Sequence, residues 1–215
     1  MTISKEDYLK AIATAEAEGE KVISATLASA LSVTRPAVTA ALKRLTRDGL
    51  ARVEKDGRIR LTAVGRAAAE RTIFRHHLIE RMLIEVFGMP WYAVHEEAER
   101  LEHVVSPAFE KRLLAKLGET ENNFHGNGWS LQNTAKQREG MCRLTEALEK
   151  QRYRVADITE RDRNLLQFLD QEGIRPGATV TVQAKHYDGT TTLAIGHQHL
   201  RLGDPAARKI WVKQA

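Results

Sequence analysis

Apolar positions near the start of the chain recur at helical spacing and then switch to alternation. Tyr8, Ile12 and Ala15 share one face of a first predicted helix, with Ser4 as its N-cap and Gly19 near its end. Leu27, Ala28 and Leu31 predict a second, short helix capped by Ser24. Thr34 caps a third, with Pro36 in the first turn, where a missing N–H costs little. Val38, Ala41, Leu42 and Leu45 form its buried stripe, and Asp48-Gly49 ends it. Leu50 to Glu54 and Arg58 to Thr62 then alternate around Lys55-Asp56-Gly57, which predicts a β-hairpin. A helix-turn-helix followed by a hairpin is a winged helix.

A long helix is expected from Ala63 to about Val86, broken by Gly88 and Pro90, then others over roughly Tyr92 to Val104 and Pro107 to Leu117. Residues 119–150 change character: Asn122 to Gly128 is turn-rich, and only Met141 to Lys150 has helical potential. Beyond it, Tyr153 to Ile158 alternates, and Arg163 to Gln171 suits one or two helical turns. Thr179 to Ala184, Thr190 to Ile195, His199 to Leu202 and Ile210 to Val212 read as short strands, which suggests a small barrel. The expected fold class is mainly α with small β. Its divisions are a winged helix-turn-helix over 1–70, a helical domain over 71–127, a linker over 128–150 and a β-barrel over 151–215.

The chain has 215 residues, enough for two or three small domains, and its 28% charged and 42% apolar content is that of a soluble globular protein. A net charge of +5 leans toward an anionic partner, but its distribution says more. Arg35, Lys43, Arg44 and Arg47 gather on the third helix, and Arg52, Lys55, Arg58 and Arg60 on the hairpin, opposed there only by Asp48, Glu54 and Asp56. That suits a helix entering the DNA major groove while the wing tracks phosphates. Thr34, Arg35, Pro36, Thr39 and Ala40 stand at the end of the helix that normally reaches base edges. The bland alternative is a solvated basic face, or a winged helix used for protein contacts. A single cysteine, Cys142, excludes an internal disulfide framework and fits a reducing compartment. No secretory h-region opens the chain, and no apolar run approaches the ~20 residues of a membrane helix, so a cytoplasmic location is expected.

Metal-capable groups concentrate after the wing. His76 and Glu80 are four residues apart on one helical face; His95, Glu99 and Glu102 line another stripe, with His103 adjoining. Antiparallel packing of the two helices would bring imidazoles and carboxylates together, as in carboxylate sites of helical bundles. Acidic amphipathic helices without any ion are common, and the pattern by itself leaves the two readings level.

Three strings carry a resemblance. Glu6-Asp7-Tyr8-Leu9-Lys10, Arg75-His76-His77-Leu78-Ile79-Glu80-Arg81 and above all Val94-His95-Glu96-Glu97-Ala98-Glu99-Arg100-Leu101-Glu102-His103-Val104-Val105-Ser106 resemble the diphtheria toxin repressor family of metal-dependent transcriptional regulators. His125-Gly126-Asn127 is similar to a short motif after that family's dimerization region, and Gly173-Ile174-Arg175-Pro176-Gly177 to its SH3-like, FeoA-type domain. The resemblance implies a homodimer on a palindromic double-stranded operator. It also implies Asp7, Glu99, Glu102 and His103 as one ligand set, with His76, Glu80 and His95 as a second. Oxygen donors at positions 7 and 99 match the manganese-responsive branch. Lys10 departs from that branch, where a carboxylate is expected, and His95 is similar to the iron branch; Mn²⁺ is expected, with Fe²⁺ the alternative. Ala40 departs from the polar residue common in the iron branch, so the operator sequence does not carry over. Glu160 and Asp162 lie near where some members add ligands from the tail, though surface charge is the commoner role. Two other functions fit less well. A metal-dependent hydrolase lacks a His-Glu-x-x-His signature here, and a winged-helix regulator with an organic effector would reduce the carboxylates to surface.

Overall fold

The computed structural model describes residues 4–17, 19–118, 140–158 and 162–215. His125-Gly126-Asn127, Glu160 and most of the expected linker lie outside them. The chain divides into two compact units, one built on residues up to Leu78 and the other from Ile79 onward. Among the described residues no helix is long and apolar enough to cross a membrane.

In the first unit α1 spans Lys5–Ala17, α2 Ser24–Ala30 and α3 Arg35–Arg47, followed by β1 (Ala51–Val53) and β2 (Ile59–Leu61). Ser4 and Asp7 open α1 reciprocally: the Ser4 hydroxyl accepts from Asp7 N–H at 3.1 Å, and the Asp7 carboxylate accepts from Ser4 N–H at 2.7 Å. Ser24 is not the cap of α2 but its first residue. Thr26 reaches back instead, its hydroxyl accepting from Ile23 N–H at 2.9 Å. The Thr34 side chain caps α3 by accepting from Ala37 N–H. Ala51 pairs with Leu61 and Val53 with Ile59 across an antiparallel hairpin, while Ile59 N–H bonds Val22 carbonyl at 2.9 Å. Tyr8, Ile12, Leu27, Val38, Leu42, Leu45, Ile59 and Ile73 share one core.

The helix α4 (Ala63–Glu85) begins at Thr62, whose hydroxyl accepts from Gly65 N–H at 3.0 Å and donates to the Gly49 carbonyl at 2.7 Å. Gly65 has to be glycine, because a Cβ there would lie 1.8 Å from the Leu50 carbonyl oxygen. Arg66 on α4 pairs with Glu16 on α1 at 2.5 Å. The wing, α1 and the start of α4 therefore lock together through short, specific contacts.

In the second unit Gly88, with φ of 65°, stops α4: Gly88 N–H bonds the Ile84 carbonyl and Met89 N–H the Leu83 carbonyl. α5 follows at Val94–Leu101 and α6 at Pro107–Leu117. Ile79 and Leu83 of α4 and Val94 and Ala98 of α5 form a small core. Arg81 is buried and caps α6, donating to the carbonyls of Leu117 and Gly118 at 2.8 and 2.9 Å and pairing with Glu85 at 3.0 Å. A cation at the negative end of a helix dipole compensates part of its own desolvation.

The rest of the unit is an SH3-like domain: β3 (Met141–Arg143), β4 (Gln151–Ile158), α7 (Arg163–Gln171), β5 (Thr179–Lys185), β6 (Thr191–Ile195), β7 (Gln198–Leu202), the single turn α8 (Asp204–Ala207) and β8 (Ile210–Gln214). The six strands pair antiparallel in the order β3-β8-β4-β5-β6-β7, the sheet of the small barrel-like domain expected from the strand spacing. Met141 to Arg143, read above as linker with helical potential, are a strand. Cys142 lies opposite Val212, and the Arg143 guanidinium sits 4.5 Å over the Trp211 ring. Val155, Val180, Val182, Leu193, Ile210 and Val212 on the inner face meet Leu166 and Leu169 of α7.

Candidate metal centre and nucleic-acid interface

The residues expected to meet DNA stand on the surface of the first unit. Thr34, Arg35, Pro36, Thr39, Ala40, Lys43, Arg44 and Arg47 are exposed along α3, opposite its Val38–Ala41–Leu42–Leu45 stripe, and Lys55 is exposed in the wing turn, with Arg58 half-buried. The wing turn closes tightly: Arg58 N–H donates to the Asp56 carboxylate at 3.0 Å, and Gly57 takes φ of 77°. That backbone bond is the main reason the Asp56 carboxyl titrates below its ordinary range.

The cations differ in how far they are neutralised. Glu54 faces both Arg52 and Arg60, at 3.7 and 3.3 Å. Asp56 lies 3.7 Å from Arg58 and 3.9 Å from Lys21, and Asp48 binds Lys5 and Arg47 at 2.5 and 3.2 Å. Arg35, Lys43, Arg44 and Lys55 have no carboxylate within ion-pair distance among the described residues. Three of these four lie on the exposed face of α3, so cations without a nearby carboxylate gather along the helix expected in the groove.

In the second unit the helices bring three of the expected ligands together. Glu80 on α4 is 2% exposed, and its Oε1 lies 3.2 Å from Nδ1 of His95 on α5. Nε2 of the same imidazole is 3.5 Å from Oε1 of Glu99, one turn further along α5. His95 thus sits between two carboxylates from different helices. His76, 4% exposed, lies one turn before Glu80 on the same face of α4. Glu102, the C-cap of α5, is 0% exposed, and its Oε1 is 3.6 Å from Nε2 of His103. Asp7 belongs to the first unit, in the opening turn of α1, with Lys10 buried on the same helix.

This donor set fits a divalent first-row metal. Burying carboxylates such as Glu80 and Glu102 costs several kcal/mol of hydration, of order, and imidazole with carboxylate oxygen is the mixture that binds such ions. Sulfur takes no part: Cys142 lies in the C-terminal sheet, and burial pushes its thiol upward, away from the thiolate form. Asp162 has a local role, its side chain accepting from Asn164 N–H at 2.9 Å to cap α7.

Two residues that sequence reading passed over adjoin the centre. Arg81 follows Glu80 and ties α4 to α6. Trp91 donates its indole N–H to Asp170 at 2.6 Å across 79 residues of chain. The i,i+4 partner Glu85 was a visible signal for the first; no local signal exists for the second.

An exposed basic helix and wing, joined through α4 to helices bearing buried imidazole and carboxylate, define a metal-responsive DNA-binding regulator. The comparisons with known proteins place it further. Residues 1–59 match the N-terminal DNA binding domain of the iron dependent repressors, residues 62–129 their metal binding and dimerisation domain, and residues 142–214 the FeoA domain. The chain is 34% identical to the iron-dependent repressor IdeR of Mycobacterium tuberculosis (strain H37Rv), over 97% of this chain and 96% of that protein. It is 31% identical to the diphtheria toxin repressor of Corynebacterium jeikeium, over 83% and 84%. Among solved structures, a manganese-dependent transcriptional repressor in complex with manganese superposes with a TM-score of 0.87 at 30% identity, covering 99% of this chain and all of that one. The manganese regulator SloR gives 0.79 at 26% identity, covering all of both chains. The chain belongs to the iron-dependent, or diphtheria toxin, repressor family. It is a metal-dependent DNA-binding transcriptional regulator, not an enzyme.

Proposed function

We propose that the protein acts in the cytoplasm as a homodimeric repressor that binds a palindromic operator when Mn²⁺ is bound, with Fe²⁺ the alternative activator. The observation that carries this reading is the His95 imidazole held between Glu80 and Glu99 by two helices, with Glu102 buried beside His103. All the donors are nitrogen or oxygen, which suits Mn²⁺ and tolerates Fe²⁺. The manganese complex among the similar structures and the iron-dependent relatives support one metal each.

Asp7, Glu99, Glu102 and His103 would hold one ion, and His76, Glu80 and His95 a second. Bound there, the metal supplies positive charge to carboxylates that otherwise repel one another. Asp7 is carried by α1 of the winged helix, and the remaining ligands by α4 and α5. As a ligand it ties the DNA-reading unit to the dimerisation helices and sets the separation of two recognition helices to successive major grooves. Thr34, Arg35, Pro36, Thr39 and Ala40 would then face base edges, and Lys43, Arg44, Arg47, Lys55 and Arg58 phosphates. In this reading residues 1–70 read DNA, residues 71–127 bind metal and dimerise, and the SH3-like domain begins at Met141.

Fluorescence anisotropy of DNA from the region upstream of the gene, titrated with protein in Mn²⁺, anaerobic Fe²⁺, Zn²⁺ or chelator, tests this. Binding only with Mn²⁺ or Fe²⁺ is expected; equal binding in chelator refutes it and favours an organic effector. Asp7→Ala should leave the dimer intact in sedimentation while weakening metal-dependent binding by about 5- to 150-fold, the usual span of such coupling.

A further inference from the structure

The seven residues from Trp91 to Glu97 connect three neighbourhoods of the second unit. Trp91 and Tyr92 pack against the core of the C-terminal sheet. Val94 is buried in the core of the helices. His95, next to it, faces Glu80. Two polar contacts from α7 reach the same stretch. At the end of α7, Asp170 accepts the Trp91 indole N–H at 2.6 Å; at its start, Arg163 lies 4.0 Å from Glu96. The pairing is antiparallel, and the seven-position step from Arg163 to Asp170 rises about 10 Å, so α7 runs alongside the stretch that leads into α5. The Arg163–Glu96 pair is solvated and weak. The Trp91–Asp170 bond is short, charge-assisted and partly buried, and is the stronger tie.

An independent feature of α5 shows why that tie matters. Its N-cap is Ala93, with no side-chain cap bond. A helix start without a cap is poorly specified by its own sequence, yet His95 sits in that first turn. The direction of its imidazole depends on where α5 begins.

We propose that Trp91 and Asp170 are positioning residues for the metal centre: through them the C-terminal domain holds the first turn of α5 so that His95 meets Glu80, and thereby sets metal affinity at that cluster. The proposal rests on reading Glu80 and His95 as ligands. It gives the SH3-like domain a part in metal sensing that needs no ligand from α7. Partners that orient a ligand from outside typically change affinity by about 10- to 100-fold when removed.

Mn²⁺ is titrated into the full-length protein by calorimetry, with Co²⁺ absorption as a spectroscopic record of the ligand field, in wild type, Glu80→Gln, Asp170→Ala, Asp170→Asn and Trp91→Phe. Asp170→Ala is expected to weaken the binding step that Glu80→Gln abolishes by about tenfold and to alter its Co²⁺ spectrum, leaving the other step in place. Trp91→Phe keeps an aromatic ring without the N–H and should behave the same. Asp170→Asn keeps an acceptor oxygen and should restore most of the affinity. If Asp170→Ala and Trp91→Phe bind Mn²⁺ as wild type does while Glu80→Gln loses a step, the positioning role is wrong and the metal reading stands. If Glu80→Gln also binds as wild type, both are wrong. A lower unfolding midpoint in chelator with unchanged Mn²⁺ affinity marks a merely structural contact and overturns the proposal.

Discussion

In the first unit the side chains proposed to meet DNA stand on the outer face of α3 and at the tip of the wing, over a stripe of apolar residues, Val38, Ala41, Leu42 and Leu45. In the second unit two of the carboxylates proposed to meet metal are turned inward: Glu80 and Glu102 are among its most buried residues, while Glu99 and His103 keep contact with water. The contrast follows from the ligands. A phosphate backbone is long, hydrated and reached by diffusion, so cations on flexible stems at the surface serve, and each contributes modestly. An ion must be stripped of water and held by a few donors at fixed distances, which needs carboxylates in a place where they cost several kcal/mol without it. The first unit can therefore fold without its ligand at little penalty. The second buries carboxylates whose desolvation has to be offset by the groups around them.

The contrast can be broken most severely from the backbone. Gly65→Ala places a Cβ 1.8 Å from the Leu50 carbonyl, where only backbone movement makes room. It is expected to destabilise the first unit by about 3 kcal/mol or more. Chemical denaturation should show that loss in chelator and in Mn²⁺ alike, and an unchanged midpoint would mean that α4 does not rest on the wing as described. Glu102→Gln removes one buried charge and little volume. Metal-dependent DNA binding should fall by about a hundredfold, whereas stability in chelator should hold or rise. A loss of stability in chelator would show that Glu102 is structural.

Arg44→Ala probes the solvated half of the comparison. DNA binding in saturating Mn²⁺ should weaken by about three- to tenfold whatever the base sequence, and the salt dependence should flatten by about one unit of slope. A loss confined to one operator sequence would instead assign Arg44 to a base. The smallest effect is expected at Asp48, whose carboxyl is held below its ordinary range, first by the hydrogen bond from Lys5 and then by that from Arg47. A depressed carboxylate stabilises above its unfolded pKa, and the contribution disappears as pH falls through the folded one. Asp48→Asn should therefore lower the unfolding temperature slightly at neutral pH and not at all in strong acid. A difference that persists in acid would point to the cap of α3 rather than to charge.

The legibility of the two units differs for the same reason. Thr34, Pro36, the Val38–Leu45 stripe and Asp56-Gly57 announce the winged helix because caps, turns and periodicity act within a few residues. Ser24 was misplaced by one position: the helix starts at Ser24, and the local bond at its start is Thr26 accepting from Ile23 N–H. His76, Glu80, His95 and Glu99 were visible as spacings, and the family resemblance added Asp7. Beyond that range the signals fade. The strand at Met141 to Arg143 has three residues and depends on β8, some 70 residues later, for its hydrogen bonds. The small barrel was expected from the strand spacing, but the order in which its six strands pair depends on residues far apart in sequence.

What the sequence by itself determined is local and chemical: where helices start and stop, which face of α3 is basic, and that nitrogen and oxygen donors recur in register along α4 and α5. Only the tertiary structure decided which donors meet. Glu80 reaches His95 because Val94 and Ala98 pack beside Ile79 and Leu83. Trp91 reaches Asp170 because two cores share one short segment. Such contacts depend on the packing of many apolar side chains at once, a collective quantity that no spacing of residues along the chain encodes.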